Sequence, residues 1–333
     1  MRIIVTGGAG FVGTLLARRL LAGPVAIGGA APVSVDELYL VDLAALPPDV
    51  AADPRVRPVT GDLPLLLGDS ASPHLPGDAD AIFHLAAVPS AGAEADFELG
   101  MHTNLHGTLA VLDRARRQVR TPVLVFSSTL AVFGTDPATG PAAGPPSPLS
   151  DGTLPTPQSS YGSQKFAAEQ FVADYTRRGF VRGRCVRLMT VVVRPGKPNA
   201  AASSFMSGII REPLAGVRAA CPVPDDTPIA LSSPSRTLEG ILRAAAVGDG
   251  DWGSRTAMNL PALTTTPREM AAAMDRVAGR AVSDLIDWTD DPAIGAIVRS
   301  WPAVVDTPRA RTLGLLPVES FDDVVREYLG GAG

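Results

Sequence analysis

The segment TPQSSYGSQKFAAEQF, residues 156–171, holds Tyr161 and, four residues on, Lys165. Residues four apart on a helix share a face, so this spacing points a phenol and an ammonium into the same space. A nearby ammonium favours phenolate and lowers the tyrosine pKa toward the range of a general base. The lysine asks for a reason, because Lys and Arg together number 29 and only Lys165 and Lys197 are lysines. A compact ammonium with three donors can hold hydroxyl groups at close range where a broad guanidinium fits poorly. The competing reading is an incidental pair on a surface helix.

A second chemical signal lies at the N-terminus. TGGAGFVG, residues 6–13, follows the apolar run RIIVT and opens a helical pattern with Phe11, Leu15, Leu16 and Leu20 apolar. In a strand, turn and helix of this kind, glycines let the backbone approach a pyrophosphate, which the helix N-terminus then stabilises. Gly7, Gly10, Phe11, Val12 and Gly13 are therefore expected to bind a dinucleotide. Asp42 closes the next apolar run, ELYLVDL, where a carboxylate can accept from both hydroxyls of the adenosine ribose. It favours NAD, since a 2′-phosphate would meet a like charge and Leu43 and Ala44 supply no compensating cation. Asp62 in TGDL could take the adenine amino group with Leu63 beneath the ring, or could cap a helix. Leu85, Ala86 and Ala87, in HLAA, bring small residues to where the cofactor backbone would lie, and His84 reads as a satisfied core residue rather than a catalyst.

The elements that must position these groups follow from periodicity. Buried-strand runs at residues 2–6, 37–43, 56–63, 81–87 and 123–128 alternate with helical patterns, which predicts an α/β fold with a Rossmann-type, doubly wound parallel sheet. A helix is expected over 161–178 and a strand over 183–192. The Gly/Pro-rich stretches 23–34 and 135–158 punctuate this alternation, which resumes after each. Residues 1–192 are read mainly as an NAD-binding domain. Residues 193–333 are read mainly as a smaller α/β substrate-binding cap, partly interleaved with the first domain and ending in a helix after Asp306.

Composition narrows the function. The net charge of -5, with Arg scattered, gives no footprint for nucleic acid or an anionic membrane, and no apolar run approaches the ~20 residues of a span. The opening MRIIVTGGAG carries no cleavable signal pattern, so a cytoplasmic protein is expected. Cys185 and Cys221 lack metal-ligand spacing, and no metal is expected. A small-molecule ligand remains.

TGGAGFVG, HLAA, FSSTLAVFG and YGSQK, in this order and spacing, resemble the extended short-chain dehydrogenase/reductases, the NAD-dependent epimerase/dehydratase family. The resemblance implies that a Ser or Thr after the fifth strand completes a triad with Tyr161 and Lys165. STLAVFG puts Thr129 in that role, with Ser128 as the alternative. Ser128, Tyr161 and Lys165 would also border the cofactor. Phe133 stands where members usually carry Tyr. Asn104, in MHTNLHGT, matches a helix asparagine near the cofactor, with a helix-backbone contact as its alternative. Met189 would bring its backbone to the nicotinamide carboxamide. Ser90 and Thr190 would face substrate, or serve as turn and strand residues. Members often dimerise through two helices that here are residues 105–117 and 161–178, so a homodimer is expected.

Further stretches, among them AEADFELG, VVRPGKPNAAASSFMSGIIREPL and DPAIGAIVRSWPAVVDTPRA, resemble members that oxidise the C2 hydroxyl of D-erythronate, a four-carbon sugar acid, with NAD. The physical reading agrees: RPGKPNAAASSF offers Arg194, Lys197, Asn199, Ser203 and Ser204 beyond the sixth strand, with Arg211 following, and suits a small anion. Any one of these side chains could instead be a solvated loop group. A nucleotide-sugar epimerase or dehydratase and a uronate dehydrogenase are the alternatives. A nucleotide-sugar enzyme would also need a long trough for the base and diphosphate, and no clear aromatic platform for a base stands in the cap, though Trp252, Trp288 and Trp301 keep that reading open. A non-catalytic NAD sensor of this fold would lack the Tyr and Lys.

Overall fold

The computed structural model describes residues 1–68, 74–135, 144–196 and 201–331. Its main sheet has seven strands in the order β10-β6-β5-β4-β1-β2-β3. These are β1 (Arg2–Thr6), β2 (Glu37–Asp42), β3 (Val56–Thr60), β4 (Ala81–His84), β5 (Val123–Thr129), β6 (Arg182–Leu188) and β10 (Met258–Asn259), and every pairing is parallel. Strand order reverses between β1 and β4, so a crevice opens at their carboxyl ends, where open α/β sheets bind ligands.

Both faces of this sheet are covered, which is why its strands read as nearly continuous apolar runs. Ile3, Val5, Leu38, Leu40, Phe83 and Val125 join one core with residues of the helices Phe11–Ala22 and Pro234–Ala246. Their neighbours Ile4, Val41, Ile82, Leu124 and Phe126 join another with the helices Gly107–Arg116 and Ser160–Arg177. A third core, with Met206, Ile209, Leu231, Met270 and Phe321, is built from residues beyond the sixth strand.

The structure departs from the expected elements in three places. The run 183–192 is not one strand: β6 ends at Leu188, and β7 (Thr190–Val191) joins a separate sheet of order β11-β9-β7 with β9 (Ile229–Ser232) and β11 (Leu263–Thr265). Met189 is the hinge between the two sheets. β10 is too short for periodicity to reveal, yet it pairs with β6. After Asp306 there are two helices, Pro308–Thr312 and Phe321–Leu329, with Ala310 in the first core and Phe321 in the third. The remaining strands, β8 (Ala219–Cys221) and β12 (Ile286–Trp288), pair with each other. Among the described residues, no helix is long and apolar enough to cross a membrane, and no group of His, Cys, Asp and Glu could hold a metal.

The helix Ser160–Arg177 begins where Ser159 Oγ accepts from Gly162 N at 3.1 Å. Gly162 is required by contact, since an added Cβ would lie 2.1 Å from Ala131 O. Its buried stripe runs Gly162, Lys165, Ala168, Glu169 and Val172, with two ionisable residues at positions that packing alone would fill with apolar ones. Glu169 accepts from Arg187 Nε at 2.8 Å and Nη2 at 2.6 Å, and from Ser128 Oγ at 2.5 Å. Glu169 and Arg187 are 3% and 4% exposed, so removing one partner strands the other charge in the core. Glu169→Ala is expected to cost about 3–5 kcal/mol in urea unfolding, and Glu169→Gln less. A loss below ~1 kcal/mol would show that water reaches Arg187.

Candidate active site

Two cavities meet at Tyr161. The larger, about 270 Å³, runs from Gly7, Gly10, Phe11, Val12 and Gly13 to Ser128, Lys165, Met189 and Arg194. The smaller, about 170 Å³, is bounded by Ser90, Leu130, Thr190, Ser203 and Trp301 among others. Ala87, Thr129, Tyr161, Leu188, Met189 and Arg194 belong to both, so a group bound in one lies against a group bound in the other.

The larger cavity fits a dinucleotide. Gly7 has φ +73°, which favours glycine, and a Cβ there would lie 2.8 Å from Ala86 N. A Cβ on Gly13 would lie 2.0 Å from Gly7 O, so close packing of turn on helix needs that glycine too. The first turn of the helix Phe11–Ala22 has no side-chain cap, and its residues line the cavity, leaving N–H donors to face an anion. Leu85 lines this cavity as well. Asp42 ends β2 beyond the cavity, its carboxylate accepting from Ala9 N at 2.9 Å and Ala44 N at 3.0 Å. Asp62 accepts from Leu65 N at 3.2 Å and faces His102 Nε2 at 2.9 Å, contacts that match its helix-cap reading. Leu63 and Ala86 border neither cavity and sit in or against the core.

Below the crevice His84 is 1% exposed, and its tautomer follows from its partners. The Thr108 hydroxyl donates to Asn104 O at 2.7 Å, so it accepts from His84 Nε2–H at 2.9 Å. Nδ1 then accepts from the Thr6 hydroxyl at 2.6 Å, and Thr6 Oγ1 accepts from Ala86 N at 3.3 Å. Burial, and then the Lys165 ammonium, lower the His84 pKa to about 3, which keeps the ring neutral. Asn104 is fully buried on a π-helical turn, Met101–His106, and borders neither cavity. Its side chain instead accepts from Val88 N at 2.8 Å and donates to Gln164 Oε1 at 2.8 Å, fixing the loop after HLAA to the Tyr161 helix.

The end of β5 separates the two hydroxyls that the sequence left open. Ser128 Oγ donates to Glu169 and is committed to the core. Thr129 Oγ1 accepts from Ala131 N at 3.1 Å and lines both cavities beside Tyr161. Lys165 Nζ donates to Ser127 O at 2.9 Å and stands 4.6 Å from the centre of the Phe126 ring. Burial lowers its pKa to about 8, opposed by Cys185 and Glu169. Burial raises the Tyr161 pKa, and the opposing groups are Thr129 and Arg194. The sequence reading expected Lys165 to lower the phenol. The ammonium is instead turned onto β5, and the cation that favours phenolate is Arg194.

Arg194 is held in place by its own backbone. Its N donates to Ser207 Oγ at 3.0 Å, its Nε to Val191 O at 3.1 Å, and its carbonyl accepts from Arg211 Nη1 at 2.6 Å. Arg211 therefore supports Arg194 and borders neither cavity. Ser90 accepts from Ala202 N at 3.4 Å, joining the two walls of the smaller cavity. Lys197 and Asn199 lie outside the described residues. Sequence reasoning missed Trp301 as a wall of the smaller cavity. Its only signal was an aromatic residue in a segment already tied to substrate choice. A phenol, a hydroxyl and a guanidinium around a small space beside the larger cavity can together remove a proton from a bound alcohol and hold an anion.

Residues 3–227 match the NAD dependent epimerase/dehydratase family. The chain is similar to the D-erythronate dehydrogenase of Cupriavidus necator, 45% identical over 336 residues that cover 100% of this chain and 99% of that protein. It is 38% identical to the D-erythronate dehydrogenase of Haemophilus influenzae over 329 residues, 99% of each. Among solved structures it is similar to a nucleoside-diphosphate-sugar epimerase from Agrobacterium tumefaciens, with a TM-score of 0.87, 34% identity, and 99% and 94% of the two chains covered. A family match over most of the chain, with relatives aligned end to end, means that this protein belongs to the NAD dependent epimerase/dehydratase family, the extended short-chain dehydrogenase/reductases, and is an NAD-dependent oxidoreductase.

Proposed function

We propose that the protein oxidises the C2 hydroxyl of a small sugar acid, D-erythronate, to the 2-oxo acid. The observation that carries this is the smaller cavity: about 170 Å³, below the ~300–1,000 Å³ of drug-sized pockets, with Tyr161 and the half-buried cation Arg194 on its wall. The D-erythronate dehydrogenases of two organisms align with this chain through its C-terminal third, which supports the same substrate class.

In this mechanism Arg194 holds the acid's carboxylate, with Ser203, Ser90 and Thr190 available to its hydroxyls. Thr129 holds the C2 oxygen, and Tyr161, as phenolate, takes its proton. Lys165 borders the larger cavity and would hold the cofactor's ribose hydroxyls, while the uncapped helix turn would hold its pyrophosphate. The nicotinamide ring supplies the hydride acceptor. Asp42, with Leu43 and Ala44 beside it, favours NAD over NADP; Asp62, which caps its helix, would lie toward the adenine end, while Leu63 belongs to the core. The name of the Agrobacterium structure keeps an epimerase as the second reading. That reaction needs room for a base and a diphosphate beyond the sugar.

Several expected outcomes separate these readings. Incubation with NAD and D-erythronate should produce NADH, with L-threonate weaker and UDP-glucose inert; isomerisation of UDP-glucose without net NADH would overturn the dehydrogenase. Tyr161→Phe should lower turnover by roughly 10²–10⁴-fold with NAD binding retained. Arg194→Gln should raise KM and move the alkaline rise of kcat/KM to higher pH, because Arg194 lowers the Tyr161 pKa.

Lys165 carries a stability cost whose sign is fixed. Its folded pKa, about 8, lies below the ordinary 10.5, so the penalty is complete below about 8 and absent above about 10.5. Lys165→Met should therefore stabilise the cofactor-free protein near neutral pH by at most about 3 kcal/mol while turnover is lost. A gain that persisted above pH ~10.5 would point to packing instead.

We also propose a homodimer through the helices Gly107–Arg116 and Ser160–Arg177. Phe171 on the second helix is 40% exposed, and Phe97, on a short helix packed against it, is 55% exposed. Light scattering should give twice the chain mass, and Phe171→Glu should shift it toward monomer. A monomer at micromolar concentration overturns this.

A further inference from the structure

We infer that Trp301 is the chain-length gauge of the smaller cavity, fixing how many carbons an acid can carry beyond the reacting one. The inference rests on the sugar-acid reading above and deepens it. Apart from Tyr161, Trp301 is the one aromatic residue among the described residues that line this cavity.

The backbone on both sides of Trp301 is pinned. Its N donates to Val298 O at 3.2 Å, in the last turn of the helix Pro292–Arg299. The chain that follows is a strap: Ala303 O accepts from Thr264 Oγ1 at 2.6 Å, Val304 O from Leu149 N at 2.8 Å, and Leu149 O from Asp306 N at 2.7 Å. Trp301 packs against two separate clusters, the cap core and the patch of Leu130, Val132, Phe133, Leu149, Met189 and Ala230. A large ring wedged between two close-packed clusters is a fixed wall rather than a swinging lid.

The chemistry then dictates what the wall does. With the carboxylate on Arg194 and the C2 oxygen at Thr129 and Tyr161, the remaining carbons occupy the rest of the cavity, whose largest wall residue is Trp301. A short polyol ends before the indole, and a longer one must displace it. Discrimination of about 10–200-fold per added carbon is the scale that a fixed apolar wall delivers.

The test measures NADH formation with aldonic acids of four, five and six carbons that share one C2 configuration, in the wild type, Trp301→Ala and Trp301→Phe. The wild type should lose kcat/KM with each added carbon. Trp301→Ala should raise the six-carbon to four-carbon ratio by at least about tenfold, and Trp301→Phe, which keeps packing against both clusters, should raise it less. Thermal unfolding and NAD binding establish that each variant is folded; if Trp301→Ala is not, the ratio in Trp301→Phe and Trp301→Leu decides. A wild type selective for four carbons, with the ratio unchanged in folded variants, overturns the gauge and leaves the sugar-acid reading standing. A wild type that oxidises no acid of any length overturns both.

Discussion

The ammonium of Lys165 lies 1% exposed at the carboxyl end of β5, and a charge so buried must be answered by its surroundings. Ser127 O, the face of Phe126 and, one helical turn on, Glu169 answer it. Glu169 is itself buried and needs Arg187 on β6 and Ser128 on β5. Toward the other side, Ser127 Oγ donates to His84 O at 3.1 Å, and the His84 ring reaches Thr6 on β1. β6, β5, β4 and β1 are adjacent in the sheet, so this polar line crosses it directly beneath the crevice. His84 is neutral partly because Lys165 is charged, which lets one ring nitrogen accept and the other donate. The local field and the hydrogen-bond directions thus support each other.

Tyr161 sits between two cations that come from different parts of the chain. Lys165 rises from the same helix, beneath the site, and Arg194 follows β7, where the chain has left the main sheet. Burial alone would hold the phenol protonated, and the group that opposes it most directly besides Thr129 is Arg194. The phenol is therefore sensitive to the position of Arg194, which Ser207 and Arg211 on the helix Ser204–Leu214 secure through the backbone. Any movement of that helix would be felt at the phenol before it was felt at the glycine turn.

What was legible in the sequence was local. Five main-sheet strands and the glycine turn announce themselves because both sheet faces are buried and because a backbone at φ +73° needs glycine. The Tyr161 and Lys165 spacing is legible for the same reason, being a property of one helix. Partnerships across the chain were not. No pattern shows that Ser128 is taken by Glu169, which leaves Thr129 for the cavity, or that Asn104 bolts a loop rather than facing the crevice. The break at Met189 is hidden because only one residue separates β6 from β7, though they belong to different sheets. β10 is too short to carry a period at all.

The proposed gauge and the proposed reacting groups lie in different regions of this chain. The family match ends at residue 227, after the glycine turn, Thr129, Tyr161, Lys165 and Arg194, and Trp301 lies beyond it. The polar line under the crevice runs through β1, β4, β5, β6 and the two helices that flank it. Arg187 stands 4.7 Å from the centre of the Phe133 ring, and Phe133 belongs to the patch that Trp301 packs against, so the buried charges and the wall share a neighbour. Proteins named as a nucleoside-diphosphate-sugar epimerase and as D-erythronate dehydrogenases resemble this one chain end to end, so function is argued from the site and not from the fold.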